Sequence, residues 1–292
     1  MKDTVRKRRL FPSAHEDAKA ARLSMDSLQS LSPSYKLAYQ DEDFLLRDEL
    51  RPVRLQLELL KPELVQQEHN IETTVVIYGS ARIPDPERAR EDLERIEKEA
   101  LEAGDTPDIR TKMAKAREAV KRSRYYEEAR KLGHLISVNT EEDKLVVVTG
   151  GGPGIMEAAN RGAYESGCQS IGMNIVLPFE QRPNPYVTPE LSFQFHYFAI
   201  RKMHLLMRAK SLVAFPGGFG TMDELFETLT LIQTRKIKPI PVLLFGKDFW
   251  KKIINFNALV EEGVVAENDL SIFQFVETAE DAWEIIAKAN GV

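Results

Sequence analysis

TTVVIYGSARI (residues 73–83) is a short apolar run that ends in glycine and serine. The same pattern returns at KLVVVTGGGPG (144–154), SIGMNIVL (170–177), SLVAFPGG (211–218) and PIPVLLFG (239–246). Continuous Val, Ile and Leu runs of this length are typical of strands that are buried on both faces. Helical patterns separate them, at 125–137, 155–167, 196–209, 221–234, 247–262 and 278–289. We therefore predict an α/β fold with a parallel sheet and helices on both faces.

The composition is that of a globular protein, with 292 residues of which 43% are hydrophobic. The net charge of −5 argues against a nucleic-acid partner, which usually requires a basic surplus. Cys168 is the only cysteine and the five histidines lack ligand spacing, so we expect no disulfide and no metal site. No secretory signal and no stretch of roughly 18 apolar residues is visible, so we expect no membrane partner and a cytoplasmic location.

Residues 1–70 are polar, charged and interrupted by prolines, and we interpret them as an N-terminal extension. Short helices are predicted at 40–50 and 54–60, packed on the main domain or on a second subunit. The basic cluster at 6–9 is interpreted as a solvated tail, with a binding arm as the alternative. The main domain is placed at 71–292. Within it, the charged stretch 86–123 contains the turn GDTP and predicts two surface helices, an insertion that would serve as a dimer or lid element.

Three of the predicted strands end in glycine-rich turns: YGSAR (78–82), TGGGPGIM (149–156) and FPGGFGT (215–221). Open parallel sheets bind ligands beyond the carboxyl ends of their strands. Glycine lets backbone N–H groups face a ligand there, and the following helix directs its positive dipole end at the same place. One helix terminus contributes only about 0.3–1 kcal/mol, or about 2 when partly buried, so several donors must converge. The pattern predicts a phosphate site.

The alternative interpretations of these glycine-rich turns are a dinucleotide fingerprint, a P-loop and an ordinary tight turn. Ile155 stands where the third glycine of a GxGxxG dinucleotide fingerprint would fall, and no turn carries the GK[ST] ending of a P-loop. TGGGPGIM is also compatible with an ordinary tight turn. A turn alone would not require the three glycines of FPGGFGT.

Charged residues follow and precede the last of these turns. Thr221 and Glu224 have the spacing of a capping box, which would make both purely structural. Alternatively Glu224, with Glu227 on the same helical face, lies beside the bound phosphate and contacts sugar hydroxyls or a cation. Arg201 and Lys202 stand in an apolar helical context, either as solvated side chains with buried stems or as part of a site.

PGGFGTMDE resembles the motif PGGxGTxxE, and the Arg201-Lys202 pair, 15 residues before Pro216, resembles its companion element. Together with GGGPGIMEAANRGA, these motifs identify a resemblance to the Lonely Guy (LOG) family of nucleoside 5′-monophosphate phosphoribohydrolases, often mislabelled as lysine decarboxylases. The resemblance covers roughly residues 72–290 without the 86–123 stretch. It implies a Rossmann-like doubly wound fold, a homodimer or higher homo-oligomer, and hydrolysis of AMP or an N6-modified, cytokinin-type relative to free base and ribose 5-phosphate.

The resemblance also implies roles for individual residues. Arg201 and Glu224 would be the catalytic pair. Substrate contacts are predicted, from the family motifs and the glycine-rich turns, for Gly79, Ser80, Gly151, Gly152, Ile155, Met156, Glu180, Asn184, Lys202, Gly217, Gly218, Phe219, Gly220, Thr221, Asp223 and Thr230. Shorter members carry Met-His-Glu where this chain has Phe198-Ala199-Ile200, which leaves the preferred base open.

The predicted chemistry needs neither metal nor organic cofactor. Cleaving a ribosyl bond develops oxocarbenium character, which a carboxylate stabilises or uses to activate water. An arginine can neutralise the departing base electrostatically, because its own pKa is too high for proton donation. No lysine stands in a recognisable Schiff-base setting, which argues against a pyridoxal phosphate decarboxylase. A nucleotide- or cofactor-binding carrier that uses the same cleft without chemistry is the alternative.

Overall fold

The computed structural model describes residues 11–22, 26–104, 106–138, 145–178 and 182–292. The chain falls into two compact units, Met1–Glu58 and Leu59–Val292. This division lies within a helix, whereas the sequence placed the boundary at residue 70. The basic cluster at 6–9 lies outside the described residues.

The first unit consists of short helical segments and the beginning of a longer helix, which continues into the second unit. Helix α1 spans Ala14–Arg22, α2 spans Glu42–Leu45 with Asp41 as its N-cap, and α3 begins at Arg51 and ends at Glu68. Three-residue 3₁₀ turns lie at Pro33–Tyr35, Ala38–Gln40 and Asp48–Leu50. The predicted helix at 54–60 is therefore longer than expected. Pro52 does not interrupt this helix, because the backbone N–H groups of the first helical turn have no intrahelical acceptor and the missing N–H of proline loses no hydrogen bond there.

A seven-stranded parallel sheet forms the second unit. The strands are β1 (Thr73–Tyr78), β2 (Leu145–Thr149), β3 (Ser170–Ile175), β4 (Ser192–Phe195), β5 (Ala209–Ala214), β6 (Val242–Phe245) and β7 (Phe273–Val276). Their order is β4-β3-β2-β1-β5-β6-β7, with every pairing parallel. The predicted α/β, Rossmann-like doubly wound sheet is confirmed.

Helices cover both faces of this sheet. They are α4 (Pro86–Ala103), α5 (Pro107–Arg122), α6 (Arg124–Val138), α7 (Ile155–Glu165), α8 (Phe198–Met207), α9 (Phe219–Gln233), α10 (Lys247–Ile253), α11 (Phe256–Glu261) and α12 (Ala279–Asn290). The two helices predicted for the charged stretch 86–123 are confirmed as α4 and α5. The single helix predicted at 247–262 is wrong, because Asn255 interrupts it and caps α11 through its side chain.

The central strand β1 shows how the core forms. Val75 and Ile77 project to one face and pack with Leu132 of α6, while Val76 and Tyr78 project to the other and pack with Leu225 of α9. Alternate side chains of a strand point to opposite faces, so a strand covered on both sides must be apolar throughout. The carboxyl end of β1 thereby lies at the centre of the sheet edge.

Candidate active site

The sheet order brings the three glycine-rich turns together. They follow β2, β1 and β5, which are neighbours in the sheet, and β1 and β5 are the point where the strand order reverses. Ligands of doubly wound folds bind at this switch point. A cavity of about 1920 Å³ opens there, lined by the turns after β1 and β5 and by parts of α5, α6, α8, α9 and α10.

The turn after β5 leaves its backbone open to the cavity. Helix α9 begins at Phe219 with Gly218 as N-cap and no side-chain cap. A side chain added at Gly218 or Gly220 would meet no atom of the described residues within 4 Å. The first N–H groups of a helix have no intrahelical acceptor, so these amides are available to an anion. The absence of side chains at these two positions therefore leaves room for a ligand rather than for a neighbouring part of the protein.

The glycines after β2 make room for close contacts within the protein itself. Gly154 has φ +72°, and a Cβ there would lie 2.4 Å from the Ser80 carbonyl oxygen. That carbonyl accepts the Ile155 N–H at 3.2 Å. The Gly151 N–H donates to Thr149 Oγ1, and the Gly151 carbonyl accepts the Asn184 N–H. These contacts favour the tight-turn interpretation of TGGGPGIM, because the protein itself uses the groups that a phosphate would need.

Arg201 and Glu224 form a buried ion pair in the cavity wall. The Arg201 Nη2 donates to Glu224 Oε1 at 2.7 Å, with side-chain exposures of 10% and 12%. The guanidinium also lies 5.1 Å from the centre of the Phe198 ring. Arg201 Nε is buried and has no hydrogen-bond partner among the described residues. A buried donor without an acceptor is costly, so it is a candidate for an acceptor on a ligand.

The environment of Glu224 raises its pKa. Burial raises the pKa to about 7, and the Asp223 and Glu227 carboxylates add to this effect, while Arg201 and Lys202 oppose it. Lys202 binds both neighbouring acids, at 3.1 Å from Asp223 Oδ2 and 3.1 Å from Glu227 Oε2. A carboxyl group that titrates near neutral pH can take up or release a proton under physiological conditions.

Two structural alternatives raised by the sequence are wrong. Thr221 is not an N-cap, because α9 begins two residues earlier, and the Glu224 carboxylate pairs with Arg201 instead of a cap amide. Arg201 is not a solvated cation with a buried stem, since the whole residue is buried. Lys202 is held by Asp223 and Glu227.

The structure brings most of the predicted site residues to the cavity. Those that line it are Gly79, Ser80, Met156, Arg201, Gly217, Gly218, Phe219, Gly220, Thr221 and Glu224. Phe219 is almost wholly solvent-exposed at 96%.

The cavity wall does not include the other predicted residues. Ile155 packs in the hydrophobic core. Asn184 is buried, where its Nδ2 donates to the carbonyl of Gly152 and to Asn160 Oδ1. Thr230 is exposed on α9, and its hydroxyl donates to the Phe226 carbonyl. Gly151, Lys202 and Asp223 are engaged in the contacts described above, and Glu180 lies outside the described residues.

Several cavity residues gave no sequence signal. Asn174 of β3 lies against Gly151 and lines the cavity. Lys121, Arg122 and Lys252 also line it, from α5 and α10. Such residues belong to no motif, and only the fold brings them to one place.

The described residues contain neither a metal-binding cluster nor a membrane-spanning helix. No group of three or more His, Cys, Asp or Glu side chains among them could hold a metal ion. None of the helices in the described ranges has the length and apolar character needed to cross a bilayer.

Solved structures that align with this chain include two molybdenum-cofactor proteins. The molybdenum cofactor binding protein from Rippkaea orientalis aligns over 74% of this chain and 96% of its own, at 17% identity and a TM-score of 0.43. The Moco carrier protein from Chlamydomonas reinhardtii aligns over 75% and 98%, at 17% identity and a TM-score of 0.44.

Sequence comparisons match the part of the chain that carries the motifs. Residues 156–286 match the family model described as "Possible lysine decarboxylase". Cytokinin riboside 5′-monophosphate phosphoribohydrolase LOG3 from Arabidopsis thaliana is 28% identical over 166 residues, 55% of this chain and 74% of its own length. The LOG enzyme of Oryza sativa subsp. japonica is 29% identical over 140 residues, 47% of this chain and 56% of its own. The resemblance to the Lonely Guy family that the motifs indicate is thus confirmed.

Proposed function

We propose that this protein hydrolyses the N-glycosidic bond of a purine nucleoside 5′-monophosphate, AMP or N6-modified AMP, to free base and ribose 5-phosphate. The observation that carries the proposal is the buried Arg201–Glu224 pair, which lies one helical turn beyond the open amides of residues 218–221. The curated relatives named above are phosphoribohydrolases of cytokinin riboside 5′-monophosphates, which supports the same chemistry.

In the proposed mechanism the amides of 218–221 hold the 5′-phosphate. The ribose then extends along α9 toward Glu224, whose ionised form accepts a proton from the attacking water or stabilises the oxocarbenium-like ribose. Water adds to C1′, the bond from C1′ to the base breaks, and the electron pair leaves with the base. Arg201 stabilises that developing negative charge through its N–H groups without losing a proton.

Positioning and proton transfer share the catalytic work. Acid–base assistance contributes about 10²–10⁴-fold, so fixing the phosphate while the other end reacts must supply much of the remainder. The Arg201–Glu224 hydrogen bond fixes the carboxylate orientation before substrate arrives. The resemblance further supports a homodimer or higher homo-oligomer and residues 71–292 as the catalytic domain.

A panel of nucleoside monophosphates, with base release followed by chromatography, tests the proposal. We expect free adenine from AMP, and loss of at least about 100-fold in kcat for Glu224→Gln. Glu227→Gln is the matched control, because Glu227 is a carboxylate on the same helix face that pairs with Lys202 instead of Arg201. Thermal stabilisation by AMP without any free base would favour the binding-only carrier and contradict the hydrolase.

A further inference from the structure

The cavity is larger than one nucleoside monophosphate requires. Its volume of about 1920 Å³ exceeds the roughly 300–1,000 Å³ of ordinary small-molecule pockets. The extra space is bounded by α5, the start of α6, and α10. The charged stretch 86–123, for which the sequence offered only a dimer or lid role, thus supplies part of the cavity wall.

The cavity-lining cations of this wall are Lys115, Lys121, Arg122, Arg124 and Lys252, and we call the last four, at the end of α5, the start of α6 and in α10, the basic corner. Their side chains are solvent-exposed and therefore accessible to a ligand. Lys121 and Lys252 form no ion pair within the part of the chain that the structure describes. Two carboxylates share this wall, Glu118 and Asp248, and Glu118 is bound to Arg122 at 3.0 Å. The corner therefore keeps a positive excess in a protein whose net charge is −5.

The basic corner lies on the opposite side of the open amides from the Arg201–Glu224 pair. Arg201 reaches toward β2, since its Nη1 lies 3.7 Å from where a Cβ of Gly150 would be. Lys252 belongs to the helix after β6, and Arg124 donates to Tyr125, whose ring touches Gly246 at the end of β6. Because β5 lies between β1 and β6, the amides at its end separate the two groups.

We propose that the basic corner binds a second phosphate, so that the cleft accepts nucleoside 5′-diphosphates. This inference rests on the ligand orientation of the proposed function. With one phosphate on the amides of 218–221 and the ribose at Glu224, a 5′-diphosphate extends away from Glu224 and toward the corner. Phosphate oxygens and exposed cations of this kind form charge-assisted hydrogen bonds.

Calorimetric titration with ADP and with AMP tests the inference through the ratio of the two dissociation constants. We expect the wild-type protein to bind ADP at least about tenfold more tightly, the effect of one good charge-assisted contact. Lys121→Ser/Lys252→Ser should reduce the ratio to within about twofold of unity. Arg117→Ser/Lys251→Ser removes the same charge from exposed positions outside the cavity and should keep the ratio.

Equal affinities in the wild-type protein, or a preference that survives Lys121→Ser/Lys252→Ser, would overturn the second-phosphate site. A preference for ADP in a protein that releases no base from AMP would contradict the hydrolase but support the site. Base release from AMP combined with equal affinities for ADP and AMP would support the hydrolase and contradict the second-phosphate site. The two proposals can therefore fail separately.

Discussion

The pH dependence of hydrolysis tests the assignment of Glu224 most directly. If the ionised carboxylate is required, kcat follows the ionised fraction of a group whose pKa is about 7. That fraction is about 90% at pH 8, about 9% at pH 6 and about 1% at pH 5. We therefore expect kcat to fall about tenfold from pH 8 to pH 6, and about a further tenfold to pH 5.

An ordinary glutamate would behave differently over the same range. With the usual pKa of about 4.5, the ionised fraction at pH 6 would still be about 97%, and the rate would hardly change. The physical cause of the difference is burial, with the neighbouring carboxylates as a second contribution. The assay is base release from AMP at saturating substrate in buffers of constant ionic strength.

The control must separate the protein from the substrate, because the second ionisation of a phosphate monoester also falls near pH 6. Asp223 raises the pKa of Glu224 more than Glu227 does, so Asp223→Asn should move the midpoint to lower pH while leaving the substrate's own titration in place. A profile that is flat between pH 6 and pH 8 would refute the reasoning. So would a midpoint that does not move in Asp223→Asn.

Two further predictions concern the turns and the stability of the fold. Gly220→Val should weaken AMP binding at least about tenfold while the melting temperature stays within a few degrees, because its Cβ meets no atom of the described part of the chain within 4 Å. Gly154→Ala should instead destabilise the protein by about 1–3 kcal/mol, measured by urea unfolding, because its φ is positive and its Cβ meets the Ser80 carbonyl. A Gly220→Val protein less stable than Gly154→Ala would be inconsistent with the structure. The raised pKa of Glu224 means that the folded state holds this proton more tightly than the unfolded state, so its stabilising effect is complete below about pH 4.5 and is lost as pH rises through about 7. Relative to Glu224→Gln, the wild-type free energy of unfolding should fall by about 3 kcal/mol between pH 4 and pH 8, and a constant difference would argue against the shift.

The pattern of apolar residues is enough to predict the fold class and the inner strands. The continuous apolar runs at β1, β2, β3, β5 and β6 follow from burial on both faces, and all five predicted strands are present. The outer strands SFQF (192–195) and FQFV (273–276) were missed. Each carries exposed or half-buried residues among buried ones, so neither forms the apolar run that marks an inner strand.

The motif resemblance also predicted Arg201 and Glu224 as site residues, but it did not predict the ion pair between them. They lie 23 residues apart in sequence, and strand β5 must return the chain to the same sheet edge before their side chains meet at 2.7 Å. The pKa of Glu224 arises in the same way, since burial is a property of the surrounding fold. No local pattern encodes either quantity.

The glycine-rich turns show most clearly what cannot be predicted from the sequence alone. In the sequence TGGGPGIM and FPGGFGT both indicate a backbone that faces a phosphate. The tertiary structure separates them, because the carbonyl of Ser80 and the side chain of Asn174 occupy the space beside the first turn. Among the described residues, no atom lies within 4 Å of where a Cβ of Gly218 or Gly220 would be in the second turn. A glycine in the sequence indicates only that something lies close to the backbone. Whether that is the protein or a ligand depends on residues distant in sequence.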